Sequence, residues 1–273
     1  MSYKRILTIQ DISCVGQCSL TVALPILSAC GHETAILPSA ILSTHTAGFS
    51  GFTCRDLTED MPLILKHWQK ENIKFDALYT GYLGSSEQIS YVRQIAASCL
   101  KQGSASFIDP AMADNGKLYP AFDASYVKAM RELCAGADYL LPNITEACFL
   151  TDTEYLEKYD ASYIENLVSA LLALGAKNIV LTGVSYAQGK TGVVVCEKGE
   201  LSYYEHRKIA KGCHGTGDVY AAAFVGLFMN GKSAREAAKL AADYTVACIE
   251  YTQSDPSHWY GVKFEPLLFQ LAK

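Results

Sequence analysis

The chain has 273 residues, of which 50% are hydrophobic and 19% are charged, and its formal net charge at pH 7 is −5. This composition is typical of a globular chain with one large core, and we expect a single domain over residues 1–273. The acidic balance, without any run of lysine or arginine, argues against a nucleic-acid partner. No apolar stretch approaches the roughly 18 residues of a membrane span, so we expect no membrane partner either.

Ten cysteines are dispersed along the chain, and the first segment, "MSYKRILTIQ", lacks the long apolar region of a secretory signal. We therefore expect reduced, mostly buried thiols in a cytoplasmic protein. The two cysteines of "CVGQC" at 14–18 are too far apart for a CxxC motif, and no second Cys/His pair at suitable spacing accompanies them. They are interpreted as ordinary thiols of a loop and a helix.

Apolar β-type runs alternate with helical patterns along most of the chain, and Ser233 with Glu236 forms the capping box of the last helix. In chain order we predict strand 5–9, helix 18–30, strand 32–38, helix 60–71, strand 76–84, helix 86–103, strands 104–110 and 137–143, helix 161–176, strand 177–183, an antiparallel hairpin over 191–208, and helices 218–229 and 233–250.

This alternation predicts βαβ units, and hence an α/β fold with a mostly parallel central sheet and helices on both faces. Ligands bind such sheets outside the carboxyl ends of the strands. The polar and glycine residues at those ends should therefore converge on one edge of the sheet. They are Gln10, Asp11, Gly81, Tyr82, Asp109, Asn143, Glu146, Thr182 and Gly183.

Two other motifs carry little functional weight. "GKT" at 189–191 follows Gly183 with five intervening residues, where a phosphate-binding P-loop has four, and a β-type run follows it instead of a helix. We interpret it as a surface turn. His45 lies in "STHTAGFSG", and it can be either a hydrogen-bonded structural group or part of a mobile binding loop.

The stretch "GTGD" at 215–218 precedes the apolar run "VYAAAFVGLFMNG". Its glycines allow positive φ, so backbone N–H groups can turn inward as an anion-binding nest at the start of a helix. An isolated motif of this kind is more often explained by an aspartate that caps the helix. Here the helix is apolar on nearly all sides, so Asp218 would be a deep and costly charge, and other loops supply Asp109, Asp114 and Glu146 for a metal.

These residues resemble the ribokinase superfamily, in which a glycine-rich "GTGD" opens a buried helix and its aspartate is the catalytic base. Within the superfamily the chain is most similar to the pyridoxal kinase family, over essentially its whole length. "GYLGS" with "HT" upstream is specific to that family, whereas "GTGD" marks only the superfamily. The matching stretches are "ILTIQD" at 6–11, "STHT" at 43–46, "TGYLGS" at 80–85, "DPAMADNGKLY" at 109–119, "PNITEA" at 142–147 and "GTGD".

The resemblance implies a ribokinase-like fold and ATP-dependent phosphorylation of the hydroxymethyl group of pyridoxal, pyridoxine or pyridoxamine, which gives the 5′-phosphate. Asp218 corresponds to the base that takes the proton from that hydroxymethyl group. Gly215, Thr216 and Gly217 correspond to the anion hole for the γ-phosphate. A vitamin B6 substrate, ATP and a homodimeric assembly are the partners that the resemblance implies.

The same resemblance implies a nucleotide and metal site, with ATP and Mg²⁺ as cofactors and a monovalent cation such as K⁺ as an optional addition. Asp109 and Glu146 match positions around the metal and the ATP phosphates, and Asp114 matches a further acidic position of that metal set. Asn143, Thr182, Gly183 and Gly217 match nucleotide-contacting positions.

For the substrate ring, the matching positions include one departure from the family. The family usually places serine where this chain has Asp11, which changes the contacts offered to the ring nitrogen or the phenolic oxygen and leaves the preferred vitamer open. The lead-in of Cys213 and His214 is similar to that of relatives that phosphorylate hydroxymethylpyrimidine. The predicted substrate positions are Asp11, Ser43, His45, Thr46, Tyr82 and Asp218.

Three alternatives stay open beside this interpretation. A hydroxymethylpyrimidine kinase of thiamin synthesis shares the fold and the base. A non-catalytic vitamin or nucleotide sensor would lack the base or the metal cluster, whereas this chain has residues for both. A sugar kinase would carry a small lid sheet after the first strand, where this chain has only a short loop before its first helix.

Overall fold

The computed structural model describes residues 3–209 and 213–272. Strands form where β-branched and aromatic residues run together, as expected for the buried strands of a parallel sheet. The strands are β1 (Arg5–Ser13), β2 (Glu33–Leu42), β3 (Cys54–Asp56), β4 (Phe75–Thr80), β5 (Leu100–Ile108), β6 (Ala113–Asp114), β7 (Lys117–Leu118), β8 (Tyr139–Leu140), β9 (Ile179–Val184), β10 (Lys190–Glu197) and β11 (Glu200–Arg207).

Helices form where apolar residues recur on one face, and several begin at a residue whose side chain caps the first turn. They are α1 (Leu20–Ala29), α2 (Met61–Lys70), α3 (Ser86–Cys99), α4 (Ala124–Cys134), α5 (Ile144–Thr151), α6 (Ala161–Ala173), α7 (Thr216–Met229) and α8 (Ala234–Gln253), followed by a 3₁₀ helix over Glu265–Gln270.

The main sheet of the described residues has nine strands in the order β11-β10-β9-β8-β5-β4-β1-β2-β3. The six neighbouring strands β2, β1, β4, β5, β8 and β9 pair in parallel. β3 at one edge and β10 with β11 at the other pair antiparallel, so the mostly parallel sheet is confirmed. β1 lies between β2 and β4, which makes the carboxyl ends of β1 and β4 the point where the strand order reverses. Ligand sites of open α/β sheets lie at such a point.

Two apolar layers cover the two faces of this sheet. Successive side chains of β1 point to opposite faces, so Leu7 packs in the layer with α2 to α6, whereas Ile6 packs in the layer with α1, α7 and α8. Helix α7 is buried from Val219 to Leu227 without interruption. The buried helix predicted after "GTGD" is therefore confirmed.

Some element boundaries differ from the predictions because strand pairing extends or truncates them. β1 continues beyond residue 9 to Ser13 and pairs with β2 across an irregularity between Gln10 and Ile12, so Asp11 lies within the strand. The helix predicted to end near residue 103 ends at Cys99, because Leu100 already pairs with Phe75 of β4.

Two helices, α4 and α5, were not predicted, although each begins at a clear cap. Asp123 accepts hydrogen bonds from the N–H groups of Ser125 and Tyr126 at the start of α4. Asn143 and Glu146 form a capping box at the start of α5, as Ser233 and Glu236 do for α8. The β6–β7 hairpin between β5 and α4 was also not predicted.

Other expectations of the sequence can be compared directly with the structure. None of the ten cysteines forms a disulfide, and six of them are buried. Of the "GKT" stretch, only Gly189, with a φ of 72°, lies in the predicted surface turn, because Lys190 and Thr191 already belong to β10. In the described ranges, no helix has the length and apolar character needed to cross a membrane.

The contact between α1 and α7 depends on a glycine. A Cβ at Gly226 would lie 2.5 Å from the Sγ of Cys30, and His32 hydrogen-bonds the carbonyl oxygen of Gly226 through Nε2 at 3.1 Å. We expect Gly226→Ala to lower the free energy of unfolding by about 1–3 kcal/mol, the usual cost of overpacking a core. Urea unfolding measures this change. Gly136→Ala, where an added Cβ meets open space, is the control, and equal effects of the two substitutions would contradict the prediction.

Candidate active site

Residues from separate loops meet at the carboxyl edge of the sheet, as the alternating pattern predicted. Asp109 follows β5, and its N–H donates to the carbonyl oxygen of Thr80 at the end of β4 at 3.1 Å. Asn143 and Thr182, which follow β8 and lie in β9, form an isolated parallel bridge. The carboxylate of Asp109 also lies near enough to that of Asp218 for the two charges to repel each other, which raises the pKa of Asp109.

The glycine-rich loop opens α7 in a geometry that glycine permits. Gly215 is the N-cap residue with a φ of 79°, and a Cβ there would collide with the carbonyl oxygen of Gln17. The first intrahelical bond runs from the N–H of Val219 to the oxygen of Gly215 at 3.0 Å. The N–H groups of Thr216, Gly217 and Asp218 precede this ladder, and the positive end of the helix dipole lies where they point.

Asp218 is half-buried in the first turn of α7, and it accepts a hydrogen bond from the backbone N–H of Ser19 at 3.0 Å. Burial raises the pKa of Asp218 to about 6, with the Ser19 N–H acting to lower it and the charge of Asp11 acting to raise it. The carboxylate is therefore mostly ionised at neutral pH and can still accept a proton.

Two further carboxylates, those of Asp109 and Glu146, lie close enough to perturb each other. Burial raises the pKa of Asp109 well above its ordinary range, and the charges of Glu146 and Asp218 raise it further. Burial also raises the pKa of Glu146. Negative charge is thus concentrated at this edge, where a cation would relieve the repulsion.

Glu146 and Asn143 are also tied to the backbone. Glu146 accepts from the N–H of Met112 at 3.1 Å through one oxygen and from the N–H of Asn143 at 2.8 Å through the other. The side-chain oxygen of Asn143 accepts from the N–H of Glu146, and its side-chain nitrogen donates to the oxygen of Ala113 at 2.8 Å. The stretch "NITE" therefore builds the turn of the site, a capping role that the sequence interpretation missed.

The predicted metal set is not assembled as a cage of ligands. In the described part of the chain, no three His, Cys, Asp or Glu side chains are arranged to hold a metal ion. Asp114 is exposed on the β6–β7 hairpin, and both of its oxygens accept hydrogen bonds from Asn115. Asp109 and Glu146 alone fit a Mg²⁺ that keeps water and phosphate oxygens as its other ligands, which is the usual arrangement for this ion in nucleotide sites.

The ring-pocket positions divide into two groups, one of which contains Asp11 and Tyr82 at the ends of β1 and β4. Asp11 is buried and accepts from the hydroxyl of Ser13 at 3.2 Å. Burial raises its pKa, whereas the hydroxyls of Ser19 and Ser13 lower it. Tyr82 packs against Phe122 with ring centroids 5.3 Å apart, and burial followed by the charge of Asp11 raises its pKa to about 12.

The loop that holds the other group, Ser43, His45 and Thr46, agrees with the first of the two interpretations of His45, a hydrogen-bonded structural group. His45 is 4% exposed, its Nδ1 accepts from the N–H of Ala47, and its Nε2 therefore donates to the oxygen of Tyr260 at 2.6 Å. Both ring nitrogens are thus occupied by backbone groups, so His45 can offer a ligand its ring but neither nitrogen. Ser43 accepts from the N–H of Thr53 at 2.9 Å, and Thr46 is exposed.

Thr182 and Gly183, which were predicted to contact the nucleotide, lie near the end of β9. The N–H of Thr182 donates to the oxygen of Pro142 at 2.9 Å, which joins the end of β9 to the start of α5. Gly183 is exposed and has a φ of 79°.

Several residues near the site were missed by the sequence interpretation. Ser19 contacts Asp218, and Tyr119 lies near enough to the four carboxylates 109, 114, 146 and 218 for their charges to raise its pKa. Trp259 packs against Phe49 in a tilted arrangement with ring centroids 4.7 Å apart, which joins the loop of His45 to the C-terminal segment. No spacing signal marks these residues, because they approach the site through tertiary contacts.

The mostly parallel sheet, its edge of polar loops and the aspartate at the glycine-rich start of a buried helix define a ribokinase-like kinase, an enzyme that phosphorylates an alcohol group. The chain belongs to the phosphomethylpyrimidine kinase family, whose family model matches residues 63–262.

Individual relatives agree with this placement. A Bacteroides thetaiotaomicron protein, provisionally named a phosphomethylpyrimidine kinase, is 33% identical with a TM-score of 0.95 over 99% of this chain and 94% of its own. A second crystal form of that protein, with pyridoxal, has a TM-score of 0.93. Pyridoxal kinase of Lactobacillus plantarum is 33% identical with a TM-score of 0.91 over 99% of this chain and 97% of its own.

Among curated proteins, pyridoxal kinase of Dictyostelium discoideum is 27% identical over 197 residues. That match takes in 70% of this chain and 63% of the relative, so the chain spans slightly less than two thirds of the Dictyostelium protein.

The clustered carboxylates should lower stability at neutral pH. A carboxyl group whose pKa is raised on folding binds its proton more tightly in the folded chain, so stability is lost as pH rises from the unfolded pKa to the folded pKa. We expect Asp109→Asn to increase the free energy of unfolding at pH 7.5 by about 1–2 kcal/mol and to change it little near pH 4. Asparagine keeps an oxygen for the N–H of Ala111, which donates to Asp109 at 3.1 Å.

Urea unfolding at the two pH values measures the effect. Asp123→Asn is the control of opposite sign, because hydrogen bonds lower the pKa of the exposed Asp123 carboxyl in the folded chain. A loss of stability in Asp109→Asn at pH 7.5 would show that the repulsion is compensated within the folded chain.

Proposed function

We propose that this chain transfers the γ-phosphoryl group of ATP to the hydroxymethyl group of a vitamin B6 ring, with Asp218 as the general base. The observation that carries the proposal is the position of Asp218, in the first turn of α7 and within electrostatic reach of both Asp11 and Asp109. It lies between the proposed ring pocket and the proposed nucleotide site. The pyridoxal-bound relative and the Lactobacillus kinase support a B6 ring as the acceptor.

The start of α7 can serve both partners of the transfer. Phosphoryl transfer requires mainly positioning and charge stabilisation, and the N–H groups of 215–217 would hold oxygens of the transferred group. Asp218 would accept the proton of the attacking hydroxyl as the new bond forms. Because its pKa is raised only to about 6, it is ionised at rest and close to the operating pH of a useful base.

Asp109 and Glu146 would hold the metal that accompanies the nucleotide. When bound, Mg²⁺ supplies positive charge to the β- and γ-phosphate oxygens. The capping bonds of Asn143 keep Glu146 turned toward the edge of the sheet, and the bond from Ala111 fixes one oxygen of Asp109. Thr182 and Gly183, at the end of β9, would then border the nucleotide.

Asp11 and Tyr82 would border the substrate ring. The loop of His45 lies beside them, since His45 is near Asp11 and its ring centroid lies 5.6 Å from that of His214. His45 would contribute its ring surface, while Ser43 and Thr46 shape the loop. Use of K⁺ and assembly as a homodimer rest on the family resemblance, and a cytoplasmic location rests on the dispersed cysteines; all three belong to the same proposal.

A second candidate, phosphorylation of hydroxymethylpyrimidine, is favoured by one specific feature. Asp11 is a buried carboxylate that accepts hydrogen bonds, and no lysine or arginine of the described residues forms an ion pair with it. It would suit the amino group of an aminopyrimidine, whereas the phenolic oxygen of a B6 ring would be repelled when ionised.

Removal of the base is the most direct test. We expect Asp218→Asn to lower kcat by at least about a hundredfold and to leave KM for ATP nearly unchanged, because the base acts on the substrate proton in the transition state. Release of ADP, coupled to a standard assay, measures both constants. Asp123→Asn at the exposed start of α4 is the matched control and should keep full activity. Near-normal turnover in Asp218→Asn would remove the base from the proposal.

The role of Asp11 is tested by a panel of pyridoxal, pyridoxine, pyridoxamine and hydroxymethylpyrimidine. We expect Asp11→Ser to raise kcat/KM for pyridoxal relative to hydroxymethylpyrimidine by about tenfold or more, since an unsatisfied or repelled polar contact discriminates strongly. An unchanged ratio would place Asp11 outside the ring pocket. Activity of the wild-type chain on none of the four alcohols would overturn the proposed substrate class.

A further inference from the structure

Ser19 has a backbone conformation that serine rarely adopts. Its φ is 55° and its ψ is −127°, close to the first central position of a type II′ turn, where glycine is strongly preferred. Ser19 is also the N-cap residue of α1, yet its side chain makes no capping hydrogen bond to that helix. Strain of this kind persists only where the surrounding structure holds it, and it is concentrated at functional sites.

The strained turn directs the N–H of Ser19 away from α1 and toward α7. That N–H donates to Oδ2 of Asp218 at 3.0 Å, across 199 residues of sequence. The carbonyl oxygen of the same residue accepts from the N–H groups of Val22 and Ala23 in the first turn of α1. The first turn of α1 therefore holds the residue whose N–H donates to Asp218.

The side chain of Ser19 lies near Asp11, which borders the proposed ring pocket. An isolated antiparallel bridge joins Ser19 to Ile12, which is the neighbour of Asp11 in β1. The Ser19 hydroxyl lies near enough to the Asp11 carboxylate to lower its pKa. Ser19 is 6% exposed, so water competes little for either contact.

Neighbouring contacts hold the turn in place. The peptide of Gln17 packs directly on Gly215, and a Cβ at Gly16 would collide with the ring of His45. The hydroxyl of Thr21 donates to the oxygen of Cys18 at 2.7 Å. A turn anchored at this many points can maintain the unfavourable φ of Ser19.

We propose that Ser19 is a positioning residue, whose backbone N–H fixes the orientation of Asp218 and whose hydroxyl fixes Asp11, so that base and ring pocket are held at a constant separation. This proposal rests on the proposed function, in which Asp218 is the base. With Oδ2 held by Ser19, the other oxygen of Asp218 is left to face the substrate hydroxyl.

The two contacts can be removed separately. Replacing Ser19 by its α-hydroxy analogue changes the backbone N–H to an ester oxygen and leaves the side chain intact. We expect this change to lower kcat about tenfold, the usual effect of losing a hydrogen bond to a charged group, with KM for ATP unchanged.

Lys198 is the matched control for the ester. It also has a positive φ of 53°, and its N–H also donates to a side-chain oxygen, that of Asn178 at 3.1 Å, in the β10–β11 turn. An ester at Lys198 should leave kcat within about twofold of the unmodified chain. Equal losses of kcat at the two positions would assign the effect to folding and overturn the proposal.

Ser19→Ala keeps the N–H and removes the hydroxyl. We expect KM for the alcohol to rise about fivefold with kcat within about twofold, because the change acts on Asp11 and the ring pocket. Ser13→Ala, which removes the other hydroxyl from Asp11, should shift KM in the same direction. A rise of KM in Ser13→Ala without one in Ser19→Ala would overturn the role of the Ser19 hydroxyl.

The outcomes distinguish failure here from failure of the proposed function. Near-normal turnover in Asp218→Asn would remove the base itself. An inactive Asp218→Asn together with unchanged kcat in the Ser19 ester would leave the base in place and overturn the positioning role. In the Asp218→Asn background, the Ser19 ester should cause little further loss of the residual kcat, since the contact that it disrupts no longer serves a base.

Discussion

Four carboxylates, those of Asp11, Asp109, Glu146 and Asp218, share one edge of the sheet, and in the part of the chain described none of them forms an ion pair with lysine or arginine. Burial of such charges without a counter-charge is costly, and it raises the pKa of each of the four groups. This constraint shapes the surrounding loops, because they have to supply hydrogen-bond donors that compensate the negative charge.

Backbone N–H groups supply most of that compensation. Those of Ser19, Ala111, Met112 and Asn143 each donate to one of the carboxylates, and all of them belong to loops or to the start of a helix, where N–H groups are left over from regular pairing. Dipoles offset only part of a full charge. Part of the negative charge of the carboxylates therefore stays uncompensated, and a cation bound together with an anionic partner would neutralise it. This is the condition for binding a nucleotide with its metal.

The α/β class, the edge at which the loops meet and the buried helix after "GTGD" could be predicted, because periodicity and glycine placement are local properties of a sequence. The extension of β1 through Asp11 could not, since it depends on the register with β2 across an irregularity at Gln10. "NITE" matched a family position, yet its capping box was overlooked despite a clear local signal. His45 illustrates a different limit: only the tertiary approach of Tyr260 shows that its ring nitrogens are occupied. The roles of the site residues, the metal, the assembly state and the extent of the domain stay predictions.

The short segment 16–19 contacts the loop of His45 through Gly16, the start of α7 and Gly261 through Gln17, and Asp218 through Ser19. Any displacement of this segment is thus shared by the loops on both sides of the reacting groups. Linkage makes such sharing reciprocal: the factor by which a bound nucleotide changes affinity for the alcohol must equal the factor by which the alcohol changes affinity for the nucleotide. A rigid segment contributes nothing to that factor, whereas one that shifts on binding makes each partner bind more tightly or more weakly when the other is present.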